Sequence, residues 1–512
     1  MLDFSEASWS ALPSLPFKKV NLAAPPGLRL PSARGATTAA ASLSALPFEV
    51  LEEVCKHLHL RDRCVHLTPK PERCPDLGLQ ALLSSLAASP IKELSIVPTS
   101  CRCPMEWDAD TLSPLSALRG LTLLEVRGYL LSQDALGQMP ALQELLLCLG
   151  AQSSGSFGLP ARPCPSTWLM LQPLTSLSRL DLCASGLTRV PPGLSACVRL
   201  ADLHLGDNSD LGRAGRMAAA FQPLAQLMRL SRLNLRGMWN CLGGGVPREV
   251  SRLAALQDLD ISDNEWMGIS GAEAGVRALA PLRHLTALTR LDARRCRLSA
   301  GALGHLSGCT GLAWLNLEGN WPLGEREGGQ VASAWVLQPF GAALTRLCLR
   351  GCKLESLPAQ LACLSHLQDL DLSLNYGLGH GGVVRGGGNP VVWQPLASLA
   401  MLTYLCIRQC DLAAVPAQVA CLSALVHIDL RNNELFRQLS GVPAAVPAGA
   451  AACDVMPGGW GVGSAAGAGS GGYGPLQWLR ELRVVDLREC RLEHVPAELR
   501  ATAAGAGLRV YM

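Results

Sequence analysis

The chain has 512 residues, of which only 4% are aromatic and 17% are charged, against about 25% charged residues in an average soluble protein. Length alone predicts about three domains, but a Leu-rich chain with so few aromatic side chains is more typical of a core built from many equivalent repeats. Its 44 Lys and Arg against 41 Asp and Glu leave a net charge of +3, which excludes a strongly basic surface for nucleic acid.

Residues 1–42 are predicted to be disordered. They do not resemble a secretory signal, because Asp3 and Glu6 lie at their start and no apolar core of about 7–15 residues follows. No run of about 18 apolar residues occurs anywhere, so no membrane span is expected. The 20 Cys are then expected to be reduced, and the protein is predicted to be cytoplasmic and/or nuclear.

Residues 43–76 are predicted to form a short helical segment. Pro47 can open a helix, an apolar stripe follows it, and Asp62 is placed to cap a second helix. The order L-P-x-E-V-L…V…L…R-D over residues 46–62 resembles the first half of an F-box, the module that docks onto the adaptor subunit of SCF ubiquitin ligases. The resemblance implies that the adaptor-binding residues are Leu46, Pro47, Val50, Leu51, Val54 and Leu58.

The second half of the F-box pattern is missing from this segment. The family continues with an apolar second helix and a Val-Cys-basic-x-Trp ending. Here the chain continues with Pro69, Pro71 and Pro75, which exclude an uninterrupted helix. The alternative interpretation is an amphipathic helix that caps the first repeat.

Residues 77–512 are predicted to contain about 15 copies of the phrase L-x-x-L-x-L-x-x-[NC]-x-L. Clear copies begin at Leu177, Leu256, Leu312, Leu344, Leu367, Leu402 and Leu425. Weaker copies begin at Ile91, Leu121, Leu142, Leu200, Leu230, Leu288 and Leu482. The alternation in L-x-L predicts a strand whose leucines all face inward.

Short and long copies alternate, so the structural unit is predicted to be a pair of repeats. The long member adds a Gly-rich loop and a helix-like segment, whose first residue is predicted to be Pro173, Pro223, Pro339 or Pro395. The ninth position is Asn in one member and Cys in the other: Asn208, Asn264, Asn320, Asn375 and Asn433, against Cys296, Cys352, Cys410 and Cys490. An inward Asn can bond backbone groups of adjacent turns, and Cys is a small apolar residue that fits the same slot.

Two C-x-x-x-C pairs, Cys348 with Cys352 and Cys406 with Cys410, have a spacing that metal sites use. In this repeat the ninth residue faces inward whereas the fifth faces outward, so no metal site is predicted at either pair.

The recurrent phrase resembles the motif of leucine-rich-repeat proteins. That resemblance implies an α/β fold: a leucine-rich-repeat solenoid (horseshoe) with a concave parallel sheet, preceded here by the short helical F-box-like segment. Residues 440–475, which are mostly Ala, Gly and Pro, are predicted to be a flexible insertion in the array. Their G-x-G-x-x-G (Gly467, Gly469, Gly472) lacks a strand–turn–helix context, so no nucleotide site is predicted.

Catalytic motifs are absent from the sequence, which contains no G-x-S-x-G, H-E-x-x-H or Walker A phrase. We therefore expect a protein that is not an enzyme and that has no cofactor, no metal and no small-molecule substrate.

The variable residues of the repeat are expected to cover the concave face. Acidic side chains recur at the fifth position, namely Asp181, Asp260, Asp292, Asp371, Asp429 and Asp486. Basic side chains recur at the seventh, namely Arg236, Arg294, Arg350, Arg408, Arg431 and Arg488. These are expected to neutralise one another as ladders, and the aromatic residues among them predict a partner-binding patch of Trp314, Arg346, Arg350, Tyr404, Arg408 and His427.

The module order, F-box-like segment and then repeats, resembles the F-box/leucine-rich-repeat class. The first hypothesis is therefore a substrate receptor of an SCF-type ubiquitin ligase, with the adaptor and a substrate protein as partners. The alternative is a non-ligase adaptor or scaffold in signalling or cytoskeletal assembly, which the missing Val-Cys-basic-x-Trp segment favours. An inhibitor that wraps an enzyme, as in the ribonuclease-inhibitor family, is the third alternative, but the uneven repeat lengths do not match that family.

Overall fold

The computed structural model describes residues 64–67, 83, 91–96, 114–127, 139–148, 171–212, 217–238, 242–267, 272–324, 326–327, 330–331, 335–380, 390–412, 414–433, 474–490, 499–500 and 507–512. These residues lie in one compact unit, His59–Met512. Three predictions fall outside them: the disordered segment 1–42, the adaptor-binding residues from Leu46 to Leu58, and residues 440–473 of the insertion.

Most of the described strands belong to one parallel sheet. In chain order the strands are β1 (Cys64–Leu67), β2 (Glu93–Ile96), β3 (Leu123–Arg127), β4 (Glu144–Cys148), β5 (Arg179–Asp181), β6 (Asp202–His204), β7 (Arg232–Asn234), β8 (Asp258–Asp260), β9 (Arg290–Asp292), β10 (Trp314–Asn316), β11 (Arg326–Glu327), β12 (Gln330–Val331), β13 (Arg346–Cys348), β14 (Asp369–Asp371), β15 (Tyr404–Cys406), β16 (His427–Asp429), β17 (Val484–Asp486) and β18 (Arg509–Tyr511). The pair β11 and β12 is a separate antiparallel hairpin, and the other sixteen follow one another in chain order.

The register places equivalent positions of successive repeats side by side. Leu315 of β10 pairs with Leu291 of β9 on one side and with Leu347 of β13 on the other. With positions counted from the first Leu of the phrase, positions 1, 4 and 6 form the core; Leu312, Leu315 and Leu317 are 0% exposed. Each such leucine stabilises the fold by about 1.5–3 kcal/mol. The predicted leucine-rich-repeat solenoid is confirmed.

The sheet begins upstream of residue 77, where the sequence predicts the repeats to start. Strand β1 pairs in parallel with β2, so that Val65 lies opposite Leu94 and Leu67 opposite Ile96. The four residues of β1, Cys64–Leu67, were expected to lie within the helical segment 43–76. The alternation of Val65 and Leu67 has the period of a strand rather than of a helix, and it matches the alternation of the partner strand.

The expected helix-like segments between strands are mostly 3-10 helices. They span Pro192–Ala196, Gln222–Gln226, Arg248–Arg252, Ala280–His284, Ala300–Leu306, Trp321–Gly324, Gln338–Phe340, Ala359–Cys363, Gln394–Ser398, Ala417–Cys421 and Gly474–Trp478. The described α-helices are short: α1 (Met217–Phe221), α2 (Ala272–Arg277), α3 (Gly377–His380) and α4 (Pro390–Trp393). Connections of about five residues favour the tighter 3-10 turn. No helix among the described residues is long and apolar enough to cross a membrane.

The prolines of the long repeats lie one residue later than predicted. Pro223, Pro339 and Pro395 each occupy the second residue of a 3-10 helix, after a glutamine, and Pro173 lies in a turn. The first N–H groups of a helix have no partner within it, so a missing N–H is tolerated at either place.

Position 8 has a left-handed backbone in every copy from Leu177 onward, including copies where the side chain disfavours it. Leu374 has φ 60° and Gln409 has φ 54°. The conformation costs such residues about 1–2 kcal/mol. In return, the position-8 N–H reaches a carbonyl of the next repeat: Leu374 N donates to Arg408 O at 2.9 Å, and Gln409 N to Arg431 O at 3.0 Å.

The predicted role of the inward asparagines is confirmed. Asn320 is 0% exposed; its Nδ2 donates to the carbonyls of Ala293 and Leu317, and its Oδ1 accepts from the amides of Cys296 and Leu298. In several pairs, the other member has a cysteine at position 9, which makes fewer bonds. For example, Cys296 Sγ donates to Ile261 O at 3.0 Å. The slot therefore ties each turn to its neighbour through side-chain-to-backbone bonds.

Candidate functional site

The side chains at positions 3, 5 and 7 lie on the face of the sheet opposite the leucine core. We call this surface the open face. Neighbouring strands are about 4.8 Å apart, so each side chain there lies beside its equivalents in the preceding and following repeats. Any binding site on the open face is therefore built from rows that run across the strands.

The position-3 row alternates acid and base over six successive strands: Glu144, Arg179, Asp202, Arg232, Asp258 and Arg290. Arg179 lies 3.7 Å from Asp202, and Arg232 lies 3.5 Å from the same carboxylate. Arg290 approaches Asp258 at 3.6 Å. An acid–base ladder therefore runs along position 3, although its ion pairs are longer than hydrogen bonds. The ladders that the sequence predicts join positions 5 and 7, where Arg431 pairs with Asp429 and Arg488 with Asp486, each at 2.7 Å.

The alternation breaks at Trp314, which stands where the row would place an acid. Arg290 keeps Asp258 on one side, and on the other side it lies over the Trp314 ring, 3.8 Å from the ring centroid. Arg346 on the next strand then has an ion pair on one side only, with Asp369 at 3.7 Å. Its side chain is 55% exposed, the most exposed of the paired arginines in this row.

A second break follows on β15 and β16, where Tyr404 and His427 occupy position 3. Their rings contact edge to face, with centroids 4.8 Å apart. Burial raises the pKa of the Tyr404 hydroxyl above its usual range, and burial lowers the pKa of the His427 imidazole. At neutral pH this part of the row therefore carries no charge.

The position-7 row contributes the other two predicted contact residues. Arg350 lies 3.6 Å from Glu318, and Arg408 lies 3.7 Å from Glu489. The Nε atoms of both arginines are buried without a hydrogen-bond acceptor among the described residues. At the end of the row the contact is closer, since Arg431 donates to Asp429 at 2.7 Å.

The structure brings the six predicted patch residues onto one face and into two rows, with the position-5 row between them. Trp314, Arg346, Tyr404 and His427 share the position-3 row, and Arg350 and Arg408 share the position-7 row. Sequence reasoning missed Arg290, which stacks on Trp314, and Asp369, which pairs with Arg346. Both residues occupy position 3 of the phrase, as Trp314 and Arg346 do, and that shared position could have identified them as neighbours of the patch. The patch itself remains a prediction.

Most of the acids at position 5 are buried although they lie on the open face. Asp260 is 0% and Asp292 1% exposed, whereas Asp181 is half-buried. Burial, together with the neighbouring Asp260 carboxylate, raises the pKa of Asp292 to about 7. Burial also raises the pKa of Asp260. One oxygen of each carboxylate has no hydrogen-bond partner among the described residues.

Asp292→Asn is expected to stabilise the protein at pH 8 by on the order of 1 kcal/mol or more. The folded protein keeps a proton on Asp292 up to about pH 7, whereas the unfolded chain releases it near pH 4. Stability from this group is therefore present below about pH 4 and is lost as the pH rises to about 7. The variant escapes that loss, and Asn already occupies this position in Asn234 and Asn316.

The measurement is urea unfolding of both proteins at pH 5 and pH 8. Asp486→Asn serves as a control for which the opposite change in stability at pH 8 is expected. Burial opposes the charge of Asp486, but the hydrogen bonds from Arg488 outweigh it and lower its pKa, so this control should destabilise the protein at pH 8. An advantage for Asp292→Asn that is equal at both pH values would contradict the prediction.

The two C-x-x-x-C pairs are divided between the two sides of the sheet, as predicted. Cys352 and Cys410 face the core, where their Sγ atoms donate to Leu317 O and Leu372 O. Cys406 contacts the open-face side chain of Ser373, with 2.9 Å between Sγ and Oγ. The fifth-position cysteines are nevertheless buried, Cys348 being 3% exposed. Members of one pair cannot share a cation.

The chain is similar to a curated protein over part of its length. No protein-family model matches the chain. The chain is 27% identical over 310 residues to Podocan-like protein 1 of Mus musculus; the match covers 60% of this chain and 48% of that protein, so the chain spans about half the length of the curated relative that it matches.

Two solved structures are also similar to the chain. One is a leucine-rich-repeat protein of Leptospira interrogans, with a TM-score of 0.49 and 16% identity over 88% of this chain and 89% of that one. The other is an internalin from Listeria monocytogenes, with a TM-score of 0.40 and 14% identity over 91% and 93% of the two chains. The fold of the present chain is defined by its own sheet, with one parallel strand in each repeat.

Proposed function

We propose that this chain is a protein-recognition subunit that binds its partner on the open face, over the patch of Trp314, Arg346, Arg350, Tyr404, Arg408 and His427. The observation that carries the proposal is the double break in the position-3 row. From Glu144 to Arg290 arginines and acids alternate along that row and neutralise one another, but here aromatic rings interrupt the alternation. The proposal assigns no catalytic chemistry to the chain.

The breaks suit protein recognition for two reasons. Trp and Tyr supply large contact areas at low entropic cost, and Arg is the charged residue most often enriched at binding hot spots. More than half of the Arg346 side chain is exposed, and its ion pair is with Asp369 on one side. Its guanidinium can therefore donate hydrogen bonds to a carboxylate of a partner. A rigid sheet also loses little freedom on binding. The expected partner therefore presents an acidic group next to an apolar one.

The test is affinity purification with quantitative mass spectrometry, comparing the wild type with the double variant Trp314→Ala, Arg346→Ala. Hot-spot residues cost about 2 kcal/mol each when truncated, so we expect at least about a tenfold loss of the specific partners. The matched control is Arg252→Ala, an exposed arginine of the 3-10 helix Arg248–Arg252 outside the sheet. Equal recovery of every partner by the double variant and the control would contradict the proposal.

The finer proposal is that the chain is the substrate receptor of an SCF-type ubiquitin ligase. It is supported by the F-box-like order of residues 46–62, which lie outside the described residues. A receptor of this kind acts by tethering, which raises the effective concentration of the substrate. It would act in the cytoplasm and/or nucleus.

The alternative is a non-ligase adaptor or scaffold, and one structural observation favours it. Strand β1 at Cys64–Leu67 already pairs with the repeat sheet, at the place where an F-box would continue with its second helix. A pull-down of the SCF adaptor by the full chain and by the Val50→Asp, Leu51→Asp variant separates the two. Capture by the wild type alone supports the receptor; capture by neither, with both folded by circular dichroism, supports the scaffold.

A further inference from the structure

A group of metal-ligand side chains lies on the open face at β5 and β6, away from the patch. Asp181 and His204 are register partners on these adjacent strands, and Cys183 follows Asp181 by two residues. One potential ligand atom from each of the three residues lies within 4.8 Å of the other two. Asp181 and Cys183 are half-buried, and His204 is buried.

We propose that Asp181, Cys183 and His204 bind a zinc-class divalent cation, with water as the fourth ligand. Thiolate, imidazole and carboxylate together are a typical zinc donor set, and three protein ligands plus water complete a tetrahedron. Tetrahedral zinc ligands lie about 3.5 Å apart, so side-chain rotations that close the group by about 1 Å are sufficient.

A carboxylate next to the group already holds the imidazole. Asp202 Oδ1 lies 2.9 Å from His204 Nε2, and a metal bound through Nδ1 would leave that contact in place. A carboxylate on the distal nitrogen fixes the ring and raises its basicity in many zinc sites. The other oxygen of Asp202 faces the arginines Arg179 and Arg232 at 3.7 and 3.5 Å. Their charge is therefore paired with Asp202.

The equivalent places elsewhere on the open face carry other residues. In copies from Leu177 onward, position 7 is most often Arg, whose charge would repel a cation; here it is Cys183. The next residue in that row is Gly206, and a Cβ placed there would lie 3.5 Å from Cys183 Sγ. Gly206 therefore places no side chain beside the thiol.

Binding would also balance the charge of the group. When the Sγ–metal bond forms, the thiol proton leaves to solvent, and the cation lies beside the carboxylate of Asp181.

Cobalt(II) titration of chelator-treated full-length protein tests the proposal, because thiolate-to-cobalt absorption reports the Cys183 bond directly. The variants Cys183→Ser and His204→Asn use residues that the chain itself places at these positions, as in Ser262 and Asn234. Cys348→Ser is the control, since Cys348 is another cysteine of the open face, at position 5 and buried.

The wild type and the control should bind one more equivalent of zinc than Cys183→Ser, as counted by elemental analysis. Cys183→Ser should also lose part of the thiolate–cobalt absorption, and His204→Asn should weaken the site at least about tenfold. Zinc should raise the Tm of the wild type more than that of either variant. Identical zinc content and cobalt spectra for the wild type and Cys183→Ser, with both folded by circular dichroism, would overturn the proposal.

Discussion

Asn320→Ala is expected to lower the free energy of unfolding by about 3–5 kcal/mol. The side chain is fully buried and bonds four backbone groups, one in its own repeat and three in the preceding repeat. Alanine leaves two N–H and two C=O groups in the core without those partners. Each buried group left without a partner costs about 1–3 kcal/mol, and relaxation of the turn recovers part of the sum.

Hydrogen exchange gives a local readout, which suits a solenoid whose unfolding need not be all-or-none. The amides of Cys296 and Leu298 donate to Asn320, so peptides containing them should exchange much faster in the variant. Cys352→Ala is the control at the same position of the next repeat. Its Sγ makes one short bond, to Leu317 O at 3.1 Å, and the expected cost is about 1 kcal/mol. Equal losses for the two variants would contradict the assigned role of the asparagine.

Gly308→Ala is expected to cost about 3 kcal/mol or more. A Cβ on Gly308 would lie 1.9 Å from the carbonyl oxygen of Arg283, a backbone atom of the preceding repeat. No rotamer change relieves a clash between a Cβ and a backbone oxygen. The two turns must therefore separate, and the packing between Ala280–His284 and Ala300–Leu306 loosens.

Gly311→Ala is the matched control, three residues along the same turn. A Cβ there meets no atom closer than Thr286 O at 3.7 Å, so the substitution should be neutral or stabilise the fold by up to about 1 kcal/mol through the unfolded state. The measurement is the urea midpoint of each variant, with unfolding monitored by tryptophan fluorescence. A Gly308→Ala midpoint equal to that of Gly311→Ala would show that the turns yield without cost.

The spacing of the phrase predicts the inner half of the fold because burial is a strong constraint. Leucines at positions 1, 4 and 6 and Asn at position 9 have only one environment that satisfies them, and the structure places Leu315 and Asn320 there. The connections carry weaker signals. Pro339 tolerates the first or the second residue of a helix equally, and Leu374 has no side-chain preference for its left-handed backbone. Hydrogen bonds to the next repeat decide that conformation, and they are not visible in a local pattern.

The open face was only partly predictable for a different reason. Alternation assigns Asp260 and Asp292 correctly to the open face, but it does not reveal that neighbouring side chains bury them. The stacking of Arg290 on Trp314 likewise depends on which strands are adjacent. The group of Asp181, Cys183 and His204 joins two repeats, so a motif search along one repeat does not find it.

The alternating position-3 row also bears on how such an array can change in length during evolution. Removing the single repeat that contains β6 would bring Arg179 beside Arg232, and an inserted copy of one repeat would place two like charges side by side. Duplicating or deleting a pair of repeats keeps each arginine of this stretch next to an acid at position 3. It also keeps the alternation between Asn and another residue at position 9. Gene rearrangements in steps of two repeats therefore meet no electrostatic barrier, whereas steps of one repeat do.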